Sequence, residues 1–242
     1  MNRTLLLLAA IGTSLVSGCK YQDIHECDPD LQLAIDGTVL YGIDVNISGI
    51  TARVHEEVPE DERLISTEQV LENVLANKVS CGIPFEQYEE GGDLQGSYLE
   101  PQQIVVIEEN TLMSLLETYN FESCQTVLDL YSKSIAGNYV LDKEKMKDRL
   151  REEDDLTEGF VSLMHDIREL YEIFSKVGDT IFHENTHMTL HLNNLPYNHE
   201  DSLADHLVNE HGWAVRDEMV DQKDPAIKLA LEAYDEVQGE GR

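Results

Sequence analysis

The apolar positions along the chain change period several times, and each change marks an element. Between Asp28 and Glu57 they alternate: Val39, Tyr41, Ile43 and Val45 share one parity, and Ile50, Ala52 and Val54 follow a Ser48-Gly49 turn. A period of two predicts short antiparallel strands. From Ser66 to Ser80 the spacing turns helical, with Val70, Leu71, Val74 and Leu75 on one face and Ser66 and Gln69 as a capping box. Cys81-Gly82-Ile83-Pro84 ends that helix, and Glu89 to Gly96, rich in glycine and acid, reads as a loop. The β-branched run Ile104-Val105-Val106-Ile107, set between Pro101 and Glu108-Glu109, predicts a strand.

Helical spacing then dominates. Asn110 can cap a helix through Tyr119; Phe121 to Ser134 and Leu141 to Glu153 predict two more, the second highly charged and anchored by Met146 and Leu150. Phe160, Leu163, Ile167, Leu170, Tyr171 and Phe174 recur at intervals of three and four, so 157–177 is a strongly amphipathic helix, with His165 on its surface. Gly178 predicts a break before a further helix starting near Asp179, which Asn193-Asn194-Leu195-Pro196 stops. Another runs from about Asn198 to Val220 with Leu203, Leu207, His211 and Met219 as its buried stripe, and Asp224-Pro225 opens a last one over 226–237. The sum is an α+β fold, mainly helical with a small sheet.

The first residues change the picture of where the chain resides. Met1-Asn2-Arg3 followed by an apolar stretch to Val16 has the form of a secretion signal, too short to span a membrane comfortably. It ends in Leu15-Val16-Ser17-Gly18-Cys19, which resembles a bacterial lipobox; the resemblance implies cleavage before Cys19 and lipidation of that cysteine. Lys20 in the next position resembles lipoproteins sorted to an outer membrane. The expectation is a bacterial envelope protein, anchored by lipid and otherwise soluble. It divides into a signal at 1–18, a tether with short strands at 19–60, and a main domain at 61–242. Of the remaining cysteines, Cys81 and Cys124 are the preferred disulfide pair, leaving Cys27 over.

A formal net charge of −31 argues against nucleic acid as partner, since a phosphate backbone needs basic neutralisation. The chemistry is concentrated elsewhere. Six of the nine histidines fall between His183 and His211. Among them stands His183-Glu184-Asn185-Thr186-His187, an H-E-x-x-H pattern on a helix, which puts both imidazoles on one face about 6 Å apart. Two neutral nitrogens facing one ion, with Glu184 beside them to take a proton from water, are what a zinc hydrolase requires. His191 continues the row, but eight residues span about 12 Å, too far for one ion to reach both ends. A third ligand must follow the turn, from His199, Glu200, Asp201, Asp205, His206, Glu210 or His211.

The motif, then Leu195-Pro196, then Glu200-Asp201-Ser202-Leu203-Ala204-Asp205 resembles the gluzincin branch of the zincin metallopeptidases. It is most similar to a bacterial metallopeptidase family with H-E-x-G-H, a Leu-Pro turn and an acidic E-E-D-x-A-D helix start. The resemblance covers about 25 residues strongly and the strand at Ile104 loosely. It implies a zincin-like domain, a peptide or protein substrate, and zinc held by His183, His187 and an acid of the next helix. Spacing favours Asp201 as that acid and chemical type favours Glu200, with Glu210 or a histidine behind them. Asp205 is then an outer-shell partner of His183 or His187. In such peptidases a strand ahead of the motif helix edges the cleft and pairs with substrate. Tyr197 or His206 are candidates to stabilise an oxyanion. Thr186 stands where the family has glycine, and the linker to Asp205 is one residue shorter. Two rival expectations are a non-enzymatic metal-binding lipoprotein, which would hold several ions weakly, and a structural envelope lipoprotein, which would hold none.

Overall fold

The computed structural model describes residues 20–84 and 94–240, so Cys19, its lipobox and most of the Glu89–Gly96 loop lie outside the described residues. The fold is α+β: helices pack around one core and cover a small mixed sheet. Its elements are β1 (Tyr21–His25), α1 (Pro29–Gly37), α2 (Ile47–Glu57), α3 (Thr67–Ala76), β2 (Ser80–Pro84), β3 (Gly96–Leu99), β4 (Ile104–Glu108), α4 (Glu109–Thr118), α5 (Phe121–Leu128), β5 (Tyr131–Lys133), β6 (Tyr139–Leu141), α6 (Lys143–Glu152), α7 (Leu156–Leu192) and α8 (Ser202–Glu240).

The segment expected to form strands is helical. Pro29 follows Asp28 as the first residue of α1, where its missing N–H costs nothing. A π-helical stretch over Thr38–Asp44 then joins α1 towards α2. Its wider turn shifts the phase of the buried residues, so Leu31, Ala34, Ile35, Ile43, Ile50 and Val54 all reach the core although Val39, Tyr41, Ile43 and Val45 mimic alternation. The Asn46 side-chain amide closes the stretch by donating to the carbonyls of Tyr41 and Gly42.

Two residues that usually break helices lie inside continuous ones. Gly178 is an interior residue of α7, because a Cβ there would stand 2.7 Å from Val215 Cγ1 on α8. The glycine lets the two longest helices approach, and that packing outweighs its roughly 1 kcal/mol of helix propensity. Pro225 likewise lies within α8, so 226–237 is no separate helix. The charged helix forms as α6 and starts at Asp142, whose side chain accepts from the Glu144 and Lys145 N–H groups. The predicted helix from Phe121 stops at Leu128, and the chain continues as β5.

The sheet has the order β1-β2-β4-β3, with β2 and β4 parallel and the outer pairings antiparallel. The helix expected to run up to Cys81 stops at Ala76, and Cys81 lies in β2, where it forms a disulfide with Cys27 in place of the expected Cys124, a buried free thiol. The sequence could not reveal this pairing, which depends on β1 lying against β2. The run at Ile104 is interior strand β4; the edge belongs to β3, paired Tyr98 to Val105 and Leu99 to Ile104. That edge rests on α7. A Cβ on Gly96 would meet Thr180 Cγ2 at 2.7 Å and Glu184 Cγ at 2.9 Å, so only glycine allows the strand to lie this close to the motif helix. No helix among the described residues is long and apolar enough to cross a membrane.

Candidate metal centre

Helix α7 presents His183, Glu184 and His187 on its last turns. Its core stripe of Leu163, Ile167, Leu170 and Phe174 fixes the rotation of the rod, and Ile181 and Phe182 continue the buried face up to the site residues. The helix ends at Leu192, and Asn194 takes the left-handed conformation (φ 57°) that turns the chain back. The returning segment, Leu195 to Asp201, crosses the open face of the two histidines.

The residue this segment brings to the pair is His199. One nitrogen from each of His183, His187 and His199 lies within 4.8 Å of the others, a group able to hold a metal ion. His187 Nε2 and His199 Nε2 are 3.2 Å apart. Their other nitrogens fix what these two can do. His187 Nδ1–H donates to the Tyr197 carbonyl, and His199 Nδ1–H donates to Asp205 Oδ1 at 2.6 Å. The Tyr197 carbonyl only accepts, so His187, which burial keeps neutral, is the Nδ1–H tautomer and turns the lone pair of its Nε2 towards His199 Nε2. At 3.2 Å that lone pair is met either by an N–H of His199 or by a cation bound to both nitrogens. That separation matches the roughly 3.3 Å between two nitrogens bound tetrahedrally to one zinc ion. Burial holds both rings of the motif neutral, with His183 pushed down to about 3 and His187 to about 4. The donor set therefore suits a divalent cation.

The acids favoured from the sequence take other places. Asp201 Oδ1 accepts from the N–H groups of Leu203 and Ala204 and caps α8, and Asp201 is not among the residues whose ligand atoms cluster with His183 and His187. Glu200 is exposed on the preceding turn. Asp205 buttresses a histidine as expected, but the histidine is His199. Glu210 faces His206 at 3.6 Å. His191 lies outside the triad, with Nδ1 hydrogen-bonded to the Tyr98 hydroxyl.

Glu184 lies beside the triad, 8% exposed, its Oε2 accepting from the Tyr98 N–H at 2.7 Å. Burial pushes its carboxyl up to about 7, opposed by that N–H and by the Lys20 ammonium. Tyr98 was not foreseen, because a backbone N–H on a sheet edge carries no signal of residue type. Glu184, His187 and His199 share a cavity of about 330 Å³ with Gly96, Ser97, Tyr98, Tyr197 and Asn198. A larger cavity of about 610 Å³ between α1, α4 and α5 lies away from the histidines. The chain matches no protein-family model, no curated protein and no solved structure.

His211 behaves differently from the triad. Fully buried against Phe182, it donates from Nδ1 to the Leu207 carbonyl at 2.8 Å, while Nε2 meets no polar partner. Burial lowers its pKa to about 4, with a smaller push from His55. The folded ring stays neutral between pH 6.5 and 4 while the unfolded one takes a proton. Its contribution to stability is thus full above about pH 6.5 and is lost as pH falls towards 4, by about 3 kcal/mol in all. Chemical denaturation of wild type and His211→Leu from pH 8 to pH 4 isolates this effect. The difference in stability between the two should shift towards the variant on acidification, and parallel profiles would refute the assignment.

Proposed function

We propose that the chain is a zinc-dependent metallopeptidase of the zincin type, held at a bacterial outer membrane by lipid on Cys19. The observation that carries the reading is the convergence of one nitrogen from each of His183, His187 and His199 within 4.8 Å, next to an enclosed carboxylate. His183, His187 and His199 would hold the ion, the Tyr197 carbonyl and Asp205 fixing two of their rings. When bound, zinc supplies a Lewis acid that polarises the scissile carbonyl and makes water more acidic.

The chain's own residues do the rest. Tyr98 N–H holds Glu184 Oε2, leaving Oε1 to take the proton of the attacking water and pass it to the leaving amine. Outward groups of β3 give an extended peptide an edge to lie along. An enclosed Glu184 favours hydrolysis over ion storage, since a storage site gains nothing from a buried carboxylate that ligates no ion. Tyr197 donates its hydroxyl to Glu100, and His206 pairs with Glu210, so neither is offered as an oxyanion donor.

The test is cleavage of unstructured peptides by the full chain, followed by mass spectrometry. Chelation should abolish cleavage, and one equivalent of zinc should restore it. Cleavage undiminished by chelation, or none with zinc present, would overturn the reading.

A further inference from the structure

Two backbone groups hold the candidate site: the Tyr98 N–H on Glu184 and the Tyr197 carbonyl on His187. They come from different parts of the chain, a sheet edge and the turn after α7. The side chains of these same two tyrosines are tied together outside the cavity. The Tyr98 hydroxyl is hydrogen-bonded to His191 Nδ1 at 2.6 Å, which turns His191 Nε2–H towards Glu100 Oε1 at 3.6 Å. Glu100 Oε2 in turn accepts the Tyr197 hydroxyl at 2.6 Å. The rings close the circuit, Tyr98 edge-on to Tyr197 at 6.3 Å and His191 against Tyr197 at 4.7 Å.

We propose that Glu100 and His191 are positioning residues of the metal site, acting on it through Tyr98 and Tyr197. Neither touches the triad. Glu100 follows β3 directly and His191 lies one turn beyond His187, so the pair joins the strand that holds the base to the turn that orients the ligand. Without the clasp, the Tyr197 turn is released from β3, and the carbonyl that fixes the His187 ring moves with it. Supporting groups of this kind commonly change metal affinity by about 10- to 100-fold. The clasp is half-exposed, so it adds little to the core, and its effect should appear at the site more than in stability.

The inference rests on the metal-site reading for its first readout and is independent of it for its second. The first is zinc affinity of the full chain by competition with a chromophoric chelator. Glu100→Ala and Tyr197→Phe should each weaken binding by about 10- to 100-fold. The double variant should be no weaker than Glu100→Ala alone, because that substitution already removes the Tyr197–Glu100 bond. Glu100→Gln keeps an oxygen that accepts the Tyr197 hydroxyl and should restore affinity. His191→Ala and Tyr98→Phe should behave as a second such pair, and the visible spectrum of the cobalt-loaded chain should change with each loss. Unchanged affinity in Glu100→Ala, or additive losses, would overturn the proposal.

The second readout uses metal-free chain: the NMR signal of the His187 Nδ1–H reports its bond to Tyr197. It should shift in Glu100→Ala and return in Glu100→Gln. If wild type binds no zinc, the metal reading fails by itself, and this signal decides alone: a shift upholds the clasp, and an unmoved signal refutes it.

Discussion

Replacing His199 with alanine should strip zinc from the chain, whereas replacing Asp201 should leave any bound metal in place. The structure gives the two residues unlike tasks: His199 Nε2 faces His187 Nε2, while Asp201 Oδ1 accepts from two N–H groups at the start of α8. Zinc sites in small proteins are worth about 10–16 kcal/mol, so losing one ligand of three should weaken binding on the order of 10²- to 10⁴-fold. Asp201→Ala should instead cost about 1 kcal/mol of stability, as a lost helix cap does. Elemental analysis after dialysis gives the first result and thermal unfolding the second. Zinc kept by His199→Ala and lost by Asp201→Ala would return the third ligand to the position implied by the gluzincin resemblance.

The second large effect separates chemistry from binding. Glu184→Gln should retain one zinc per chain, because the carboxylate belongs to no ligand set and an amide oxygen still accepts the Tyr98 N–H. It should lose peptide hydrolysis by about 10²- to 10⁴-fold, the usual worth of a positioned general base, or roughly 3–5 kcal/mol in the barrier. Kinetics on a peptide found in the cleavage screen would measure it. Full activity in this variant would remove Glu184 from the mechanism, and loss of zinc would make it a ligand.

What could be read from the sequence was what depends on near neighbours. The H-E-x-x-H pair, the stripe from Leu163 to Phe174, the Ser66–Gln69 capping box and the stop after Leu192 all follow from spacings of three or four residues. Failures came where a distant contact overrode a local rule. The π-helical turn at Thr38–Asp44 shifted the phase of a helix enough to imitate alternation, although Asp28-Pro29 carried a sound start signal. Gly178 and Pro225 read as breakers because a sequence does not show what packs against them. The disulfide needed the β1–β2 pairing. The third ligand was half legible: His199 was a candidate, and Asp201 sits where helix caps belong, directly before Ser-Leu-Ala. The cap rule applies to Asp201 as well, whose Oδ1 accepts from the Leu203 and Ala204 N–H groups, a task the sequence pattern already signals.

The unbroken course of α7 has a consequence for how an ion would be received. The rod that carries His183 and His187 runs 37 residues without a joint, its first half fixed in the core. Two of the three nitrogens are therefore immobilised when the chain folds, and the loss of conformational freedom that ligation normally exacts has already been incurred there. His199 comes instead from a short turn, exposed and oriented by Asp205. Capture of an ion would thus resemble the closing of a single finger onto a rigid fork, with speed and reversibility governed by the short segment from Asn193 to Asp201.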